Sequence, residues 1–106
     1  MSALLEARIA MTRALPHLLD AMFARGHAAS MEWCKRCIDC PVGKKRSKHK
    51  DGTAVDINLY RRGASGAWVL CADTKDHAQF GSLWESMGGI WGGRWQDGNH
   101  YEWPET

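Results

Sequence analysis

The run Thr53-Ala-Val-Asp-Ile-Asn-Leu-Tyr60 alternates with a period of two. Residues two apart share a face of a β-strand, and neighbours point to opposite faces. Val55, Ile57 and Leu59 therefore share one face; Ala54, Asp56 and Asn58 share the other. That is the pattern of a half-buried strand, and it puts the Asp56 carboxylate on the face turned away from the core. The rest of the chain must supply apolar elements for one face of this strand and chemistry for the other.

Apolar elements are present on both sides of it. Residues 3–25 carry Leu4, Met11, Leu15, Leu18 and Met22 at helical spacing. Ser2 supplies an N-cap and Gly26 a stop. Pro16 lacks an amide donor and is predicted to kink this helix or to start a second one. A short strand is expected over 28–34, then a polar, basic, Gly/Pro-punctuated loop over 35–52. Arg61 to Gly66 reads as a hairpin turn returning through Ala67–Cys71. A second helix over 75–87 presents Phe80, Leu83, Trp84 and Met87, and Gly88-Gly89 ends it. Trp91–Trp95 and Asn99–Trp103 read as two short strands joined at Asp97-Gly98. The expected architecture is α+β, a small antiparallel sheet flanked by helices. With 106 residues it forms one domain, 1–106, with a helical segment over 1–27 and its chemistry within 47–103.

Composition narrows the function classes. Hydrophobic residues at 44% and charged residues at 25% suit a globular protein. A net charge of +2 implies no nucleic-acid partner by itself. The charge is clustered, however, in Lys44, Lys45, Arg46, Lys48 and Lys50. Such a run is ordinarily a solvated loop; next to a reactive site it would also attract carboxylates. No stretch approaches the ~20 apolar residues of a membrane span or the roughly 7–15 of a secretory signal. The expected location is the cytoplasm at synthesis, without a signal peptide. The four cysteines are then thiols or metal ligands rather than disulfides. Cys34, Cys37 and Cys40, with Cys71 as a lone second arm, fit either a second metal site or partly buried free thiols. His17, His27 and His77 have no evident partners and are expected at the surface. Six Trp point to a dense aromatic core or a stacking surface. Trp91 and Trp95 flank Gly92-Gly93, where cleft lining and core packing are equally good readings.

The chemistry sits in two short motifs. Ser47-x-His49-x-x-Gly52-x-Ala54-x-Asp56 separates an imidazole and a carboxylate by seven positions. On one continuous strand an odd separation would send them to opposite faces; a turn at Gly52 lets His49 fold back over Asp56. Ala54 leaves room beside them. The second motif is Asp97-x-x-His100. Two His and one carboxylate form a catalytic zinc ligand set with the fourth position left for water. A further carboxylate can take that water's proton and pass it to a leaving amine. Asp97 is the candidate, with Glu102 as the alternate; otherwise Glu102 is a supporting or salt-bridge partner. An Asp-Gly pair is also a hairpin signal, and both readings can hold together.

These motifs, with the stretch from Asp76-His77 through Trp84-Glu85, Trp91-Gly-Gly-Arg-Trp95 and Asp97-Gly-Asn-His-Tyr101, resemble a family of zinc metallopeptidases. It comprises D-alanyl-D-alanine carboxypeptidases and phage L-alanyl-D-glutamate endolysins with the hedgehog/DD-peptidase fold. The resemblance covers residues ~47–103. It implies Zn2+ held by His49, Asp56 and His100, Asp97 as general base, and an upstream Arg, matched best by Arg36, that steadies the oxyanion. Ser47, Glu102 and Trp95 are then expected to bind substrate or support the ligands. The implied activity is hydrolysis of a peptidoglycan stem-peptide bond by a monomer that reaches the cell wall after release, first of L-alanyl-D-glutamate type, second a D-alanyl-D-alanine carboxypeptidase. A non-catalytic wall-binding or virion domain of the same fold is one rival. The other is a Cys-cluster zinc module that binds nucleic acid, which leaves both motifs unexplained.

Overall fold

The computed structural model describes residues 2–33 and 52–105. Within them the chain runs as helix α1 (Ala3–Ala24), strand β1 (Ala28–Glu32), strand β2 (Ala54–Arg62), strand β3 (Trp68–Cys71), helix α2 (Thr74–Ser86), strand β4 (Ile90–Trp91), a 3-10 helix (Gly92–Trp95) and strand β5 (His100–Glu102). This is an α+β fold with a small antiparallel sheet and two α-helices. No helix among the described residues is long and apolar enough to cross a membrane.

The Ser2 hydroxyl accepts the Leu5 amide at 3.1 Å and caps α1. The helix buries Ala7, Met11, Ala14, Leu15, Leu18 and Met22. Pro16 lies inside this single helix and starts no second one. Its ring faces solvent, and the burial of Ala14, Leu15 and Leu18 around it holds both halves in one element. Tertiary packing here outweighs the hydrogen bond a proline forfeits.

β2 is the axis of the sheet. Along one edge it pairs with β1, from Ala28 opposite Tyr60 to Glu32 opposite Asp56. Its other edge is shared. The first half pairs with β5, Ala54 opposite Glu102 and Asp56 opposite His100. The second half pairs with β3, Leu59 opposite Cys71 and Arg62 opposite Trp68. β4 closes the far side by pairing with β5. The sheet forks at Ile57-Asn58, where the Ile57 amide still donates to the Asn99 carbonyl at 2.8 Å.

Val55, Ile57 and Leu59 are fully buried against Met11, Leu15, Leu18 and Met22 of α1 and Phe80 and Trp84 of α2. Burying three aliphatic side chains is worth roughly 1.5–3 kcal/mol each. The sum is comparable with the whole stability of a small domain, so the register of β2 is strongly determined. Trp84 crosses edge-on to Tyr101 and Trp103, and its Nε1–H donates to the Glu102 carbonyl at 2.9 Å.

Two local expectations change. Trp91–Trp95 is not one strand: only Ile90–Trp91 pairs, and Gly92–Trp95 coils into a 3-10 helix. At Gly92 a side chain would collide with the Asp97 carbonyl oxygen and the His100 Cβ, so the chain turns tightly where an extended strand would not fit. His77 is not a surface residue but 1% exposed, on the inner face of α2, and its Nδ1 hydrogen-bonds the Tyr101 hydroxyl at 2.8 Å. His27 is half-buried, edge-on to Phe80, while His17 is exposed as expected.

Candidate metal centre

His100 opens β5 directly opposite Asp56 on β2. A cross-strand pair of this kind brings side chains on one face within reach of each other. The His100 Nδ1 lies 3.6 Å from Asp56 Oδ1. Asp97 reaches the same imidazole from the preceding turn, its Oδ2 4.0 Å from Nδ1. One ligand atom from each of Asp56, Asp97 and His100 lies within 4.8 Å of the others.

The turn that carries Asp97 is tightly held. The Asp97 amide donates to the Gly92 carbonyl at 2.9 Å, and the His100 amide donates to the Asp97 carbonyl at 3.1 Å. Gln96 adopts a left-handed backbone, φ 63°, an uncommon conformation for a residue with a side chain. Gly98 packs on α2 so closely that a Cβ there would stand 2.6 Å from the Thr74 Cα. Glycine at 98 is thus required for this turn to seat against the helix.

On the far side of the imidazole, His100 Nε2–H donates to Glu102 Oε1 at 2.8 Å. Strand alternation explains the contact, since residues 100 and 102 share a face. This bond keeps a proton on Nε2, so Nδ1, which faces Asp56 and Asp97, is the nitrogen that would ligate a metal once its own proton is displaced. A carboxylate behind a histidine is the usual support for a metal-ligating imidazole. Burial by itself would lower the His100 pKa, but hydrogen bonds to Asp56 and Glu102 and the charges of Glu102 and Asp97 outweigh it and raise it to about 9.

This donor set fits a zinc ion. Ligand atoms ~2.0–2.2 Å from a tetrahedral zinc stand roughly 3.3–3.6 Å apart. The 3.6 Å between His100 and Asp56 meets that spacing, whereas Asp97 at 4.0 Å stands just outside it. Trp95 lies beside the cluster, half exposed, its ring centroid 5.5 Å from that of His100. Trp91 instead packs against the core and donates its Nε1–H to the Gly98 carbonyl at 2.7 Å.

His49, Ser47 and Arg36 lie outside the described residues, as do Cys34, Cys37 and Cys40 and the basic run. Gly52, just before β2, has φ 74°, a left-handed turn of the kind expected there. Cys71 is buried at the end of β3, with its thiol 3.8 Å from the Val69 carbonyl oxygen. A further contact lies beside the cluster: Asn99 Nδ2–H donates to Asn58 Oδ1 at 3.1 Å. The strand alternation puts Asn58 on the face of Asp56, whereas Asn99, on the turn before β5, carries no local signal of this partnership.

A family model described as D-alanyl-D-alanine carboxypeptidase matches residues 42–103. The match takes in β2 to β5 and all three residues of the cluster. No curated protein matched the chain.

Proposed function

Because the chain belongs to the M15 family of zinc peptidases, we propose that it hydrolyses an amide bond in the stem peptide of peptidoglycan. The observation that carries this reading is the convergence of Asp56, Asp97 and His100 from two strands and a turn onto one half-open face. His49, Asp56 and His100 would hold the ion. When bound there, zinc would supply Lewis-acid polarisation of the scissile carbonyl and a water acidified to a pKa of ~7.

The remaining steps belong to the chain. Asp56 and His100, held opposite each other by the β2–β5 register, bind. Glu102 keeps the proton on His100 Nε2 and so keeps Nδ1 available. Asp97, half exposed beside them, takes a proton from the attacking water and returns it to the departing amine. Arg36 is assigned to the developing oxyanion on the strength of the family resemblance alone. Trp95 flanks the substrate.

We favour an endolysin that acts on the cell wall after release and cleaves L-alanyl-D-glutamate. The description of the matching family favours D-alanyl-D-alanine carboxypeptidase action as the second reading. Mass spectrometry of fragments released from defined peptidoglycan, with and without a chelator, tests the proposal and names the bond. Chelator-sensitive release of new amino groups that Asp97→Ala abolishes is the expected result. Equal release by the variant sinks it, and no release by either chain points to a wall-binding domain.

A further inference from the structure

The open face of β2 continues well past the metal-ligand cluster. Asp56, Asn58, Tyr60 and Arg62 alternate along it, and each is at least partly exposed. β3 widens the same face, because directly opposed residues of paired strands point to one side: Leu70 stands opposite Tyr60 and Trp68 opposite Arg62. Leu70 and Trp68 are 53% and 51% exposed, so this apolar surface is open to solvent. Leu70 also lines a cavity of about 290 Å³ together with Asn58 and Asp97, which joins this surface to the cluster. We infer that the Arg62–Trp68 end of the face is a remote subsite for the substrate, holding a carboxylate that the peptide bears several residues beyond the scissile bond on its amine side. The inference rests on the peptidase reading above and deepens it.

Direction and reach give the first argument. β5 runs antiparallel to β2, so the residues that precede His100 lie toward the Asn58 end of β2. Asp97 accordingly meets Asn58 and Leu70 at the cavity. An amine that takes its proton from Asp97 departs on that side, and the peptide bearing it runs over Leu70 toward Trp68. Arg62 lies roughly 20 Å along the strand from Asp56. That is the length of about six residues of extended peptide, and the Arg62 side chain itself covers part of it, so a carboxylate about four or five residues beyond the bond meets the guanidinium. Cleavage of an L-alanyl-D-glutamate bond leaves the rest of the stem peptide on the amine side, a fragment of several residues that ends in a carboxylate. The single residue released by a carboxypeptidase is too short to reach.

Chemistry gives the second. The Arg62 guanidinium lies over the Trp68 ring, 4.1 Å from its centroid, and donates through Nη1 to the Gly66 carbonyl. Ring and carbonyl hold it in place, which reduces the ordering cost of binding. A guanidinium carries five N–H donors in a fork that matches a carboxylate, and the bond to Gly66 uses one of them. Among the described residues no carboxylate forms an ion pair with Arg62, whereas Arg94 is already taken up by Glu85 at 2.6 Å. The run from Ile57 to Ala72 contains no Asp or Glu. An acidic peptide end therefore meets an unanswered positive charge, and Trp68 and Leu70 offer apolar surface to the chain behind it. Arg61 has the same charge but, one residue away on the strand, belongs to the opposite face.

The test uses three synthetic peptides that share one L-alanyl-D-glutamate bond. The first stops at the D-glutamate, the second continues for four more residues to a free terminal carboxylate, and the third carries the same extension ending in a carboxamide. The zinc-loaded full chain should show a kcat/KM at least about tenfold higher for the second than for the first, and the carboxamide should forfeit most of that gain. Arg62→Gln should bring the second peptide down to the level of the third by raising KM, with kcat within about twofold, and should leave the first unchanged. Arg61→Gln, the same loss of charge on the opposite face, should change none of them. No gain with length, indifference to the terminal carboxylate, or an equal effect of Arg61→Gln overturns the subsite while leaving the peptidase intact. If the wild-type chain cuts none of the peptides, NMR titration decides the subsite: a shift of the Trp68 indole N–H signal with the second peptide and not the third supports it, and an unmoved signal or equal shifts reject it. If the chain also leaves peptidoglycan intact, the peptidase reading fails independently.

Discussion

His77 and His100 sit on either side of Tyr101, one through a hydrogen bond to its hydroxyl and the other as its neighbour in the chain. Both are nearly inaccessible, 1% and 8% exposed. Their acid–base behaviour nevertheless diverges. Burial dominates at His77 and, with Asp76 opposing only in part, lowers its pKa to about 4. At His100 the same desolvation is overcome by Asp56, Glu102 and Asp97, and the pKa rises to about 9. Burial alone does not make a histidine reactive. The carboxylates around it decide whether it is a neutral core residue or a group that a cation, proton or metal, will occupy.

Four experiments would break or sharpen this contrast. The largest effect is expected from the most exposed carboxylate around the imidazole: Asp97→Asn should lower the rate of peptidoglycan hydrolysis by roughly 10²–10⁴-fold without unfolding the chain. Unchanged release of amino groups would remove the acidic cluster from the chemistry.

Next comes the pH dependence of the metal-free protein. A folded pKa below the unfolded value of 6.5 means that His77 contributes stability above pH 6.5 and loses it as pH falls toward 4. A folded pKa above 6.5 means that His100 contributes fully below pH 6.5 and loses its share as pH rises toward 9. Each limb amounts to about 3 kcal/mol at most. Urea unfolding at pH 4.5, 6.5 and 9 should place the maximum near 6.5, and His77→Phe should flatten only the acid side.

Glu102→Gln then separates support from ligation. It keeps a hydrogen-bond acceptor but removes the charge behind His100, and zinc affinity in a chelator competition should fall about 10–100-fold. Tyr101→Phe should have the smallest consequence. It leaves the buried His77 Nδ1 without its hydroxyl, costing about 1–3 kcal/mol in denaturant unfolding, while zinc affinity stays unchanged. A loss of zinc affinity here would mean that the two histidines are coupled and the contrast is false.

Much of this arrangement is legible in the residues themselves. The alternation from Thr53 to Tyr60 is enough to put Val55, Ile57 and Leu59 in the core and Asp56 and Asn58 on the open face. The helical stripe Phe80, Leu83, Trp84 and Met87 is likewise local, and it extends back to His77, three residues before Phe80. A histidine in an apolar stripe signals burial even where its sequence neighbours offer no partner. The pairing of Asp56 with His100 is a different kind of fact. It joins residues far apart in the chain, and no periodicity reports it. The same holds for the Gly92 turn, whose shape follows from the close approach of Asp97, and for Pro16, which is tolerated because residues on the opposite side of α1 are buried.

The direct opposition of Asp56 and His100 has a consequence for how such a centre can vary. Sliding β2 past β5 by a single residue would set Asp56 against Tyr101 or Asn99 and turn Val55, Ile57 and Leu59 outward. Misalignment of the strands and loss of the candidate ligand cluster are therefore one event. A slip of register here would abolish the cluster of Asp56 and His100 outright, whereas changes in the surrounding turns leave their opposition in place.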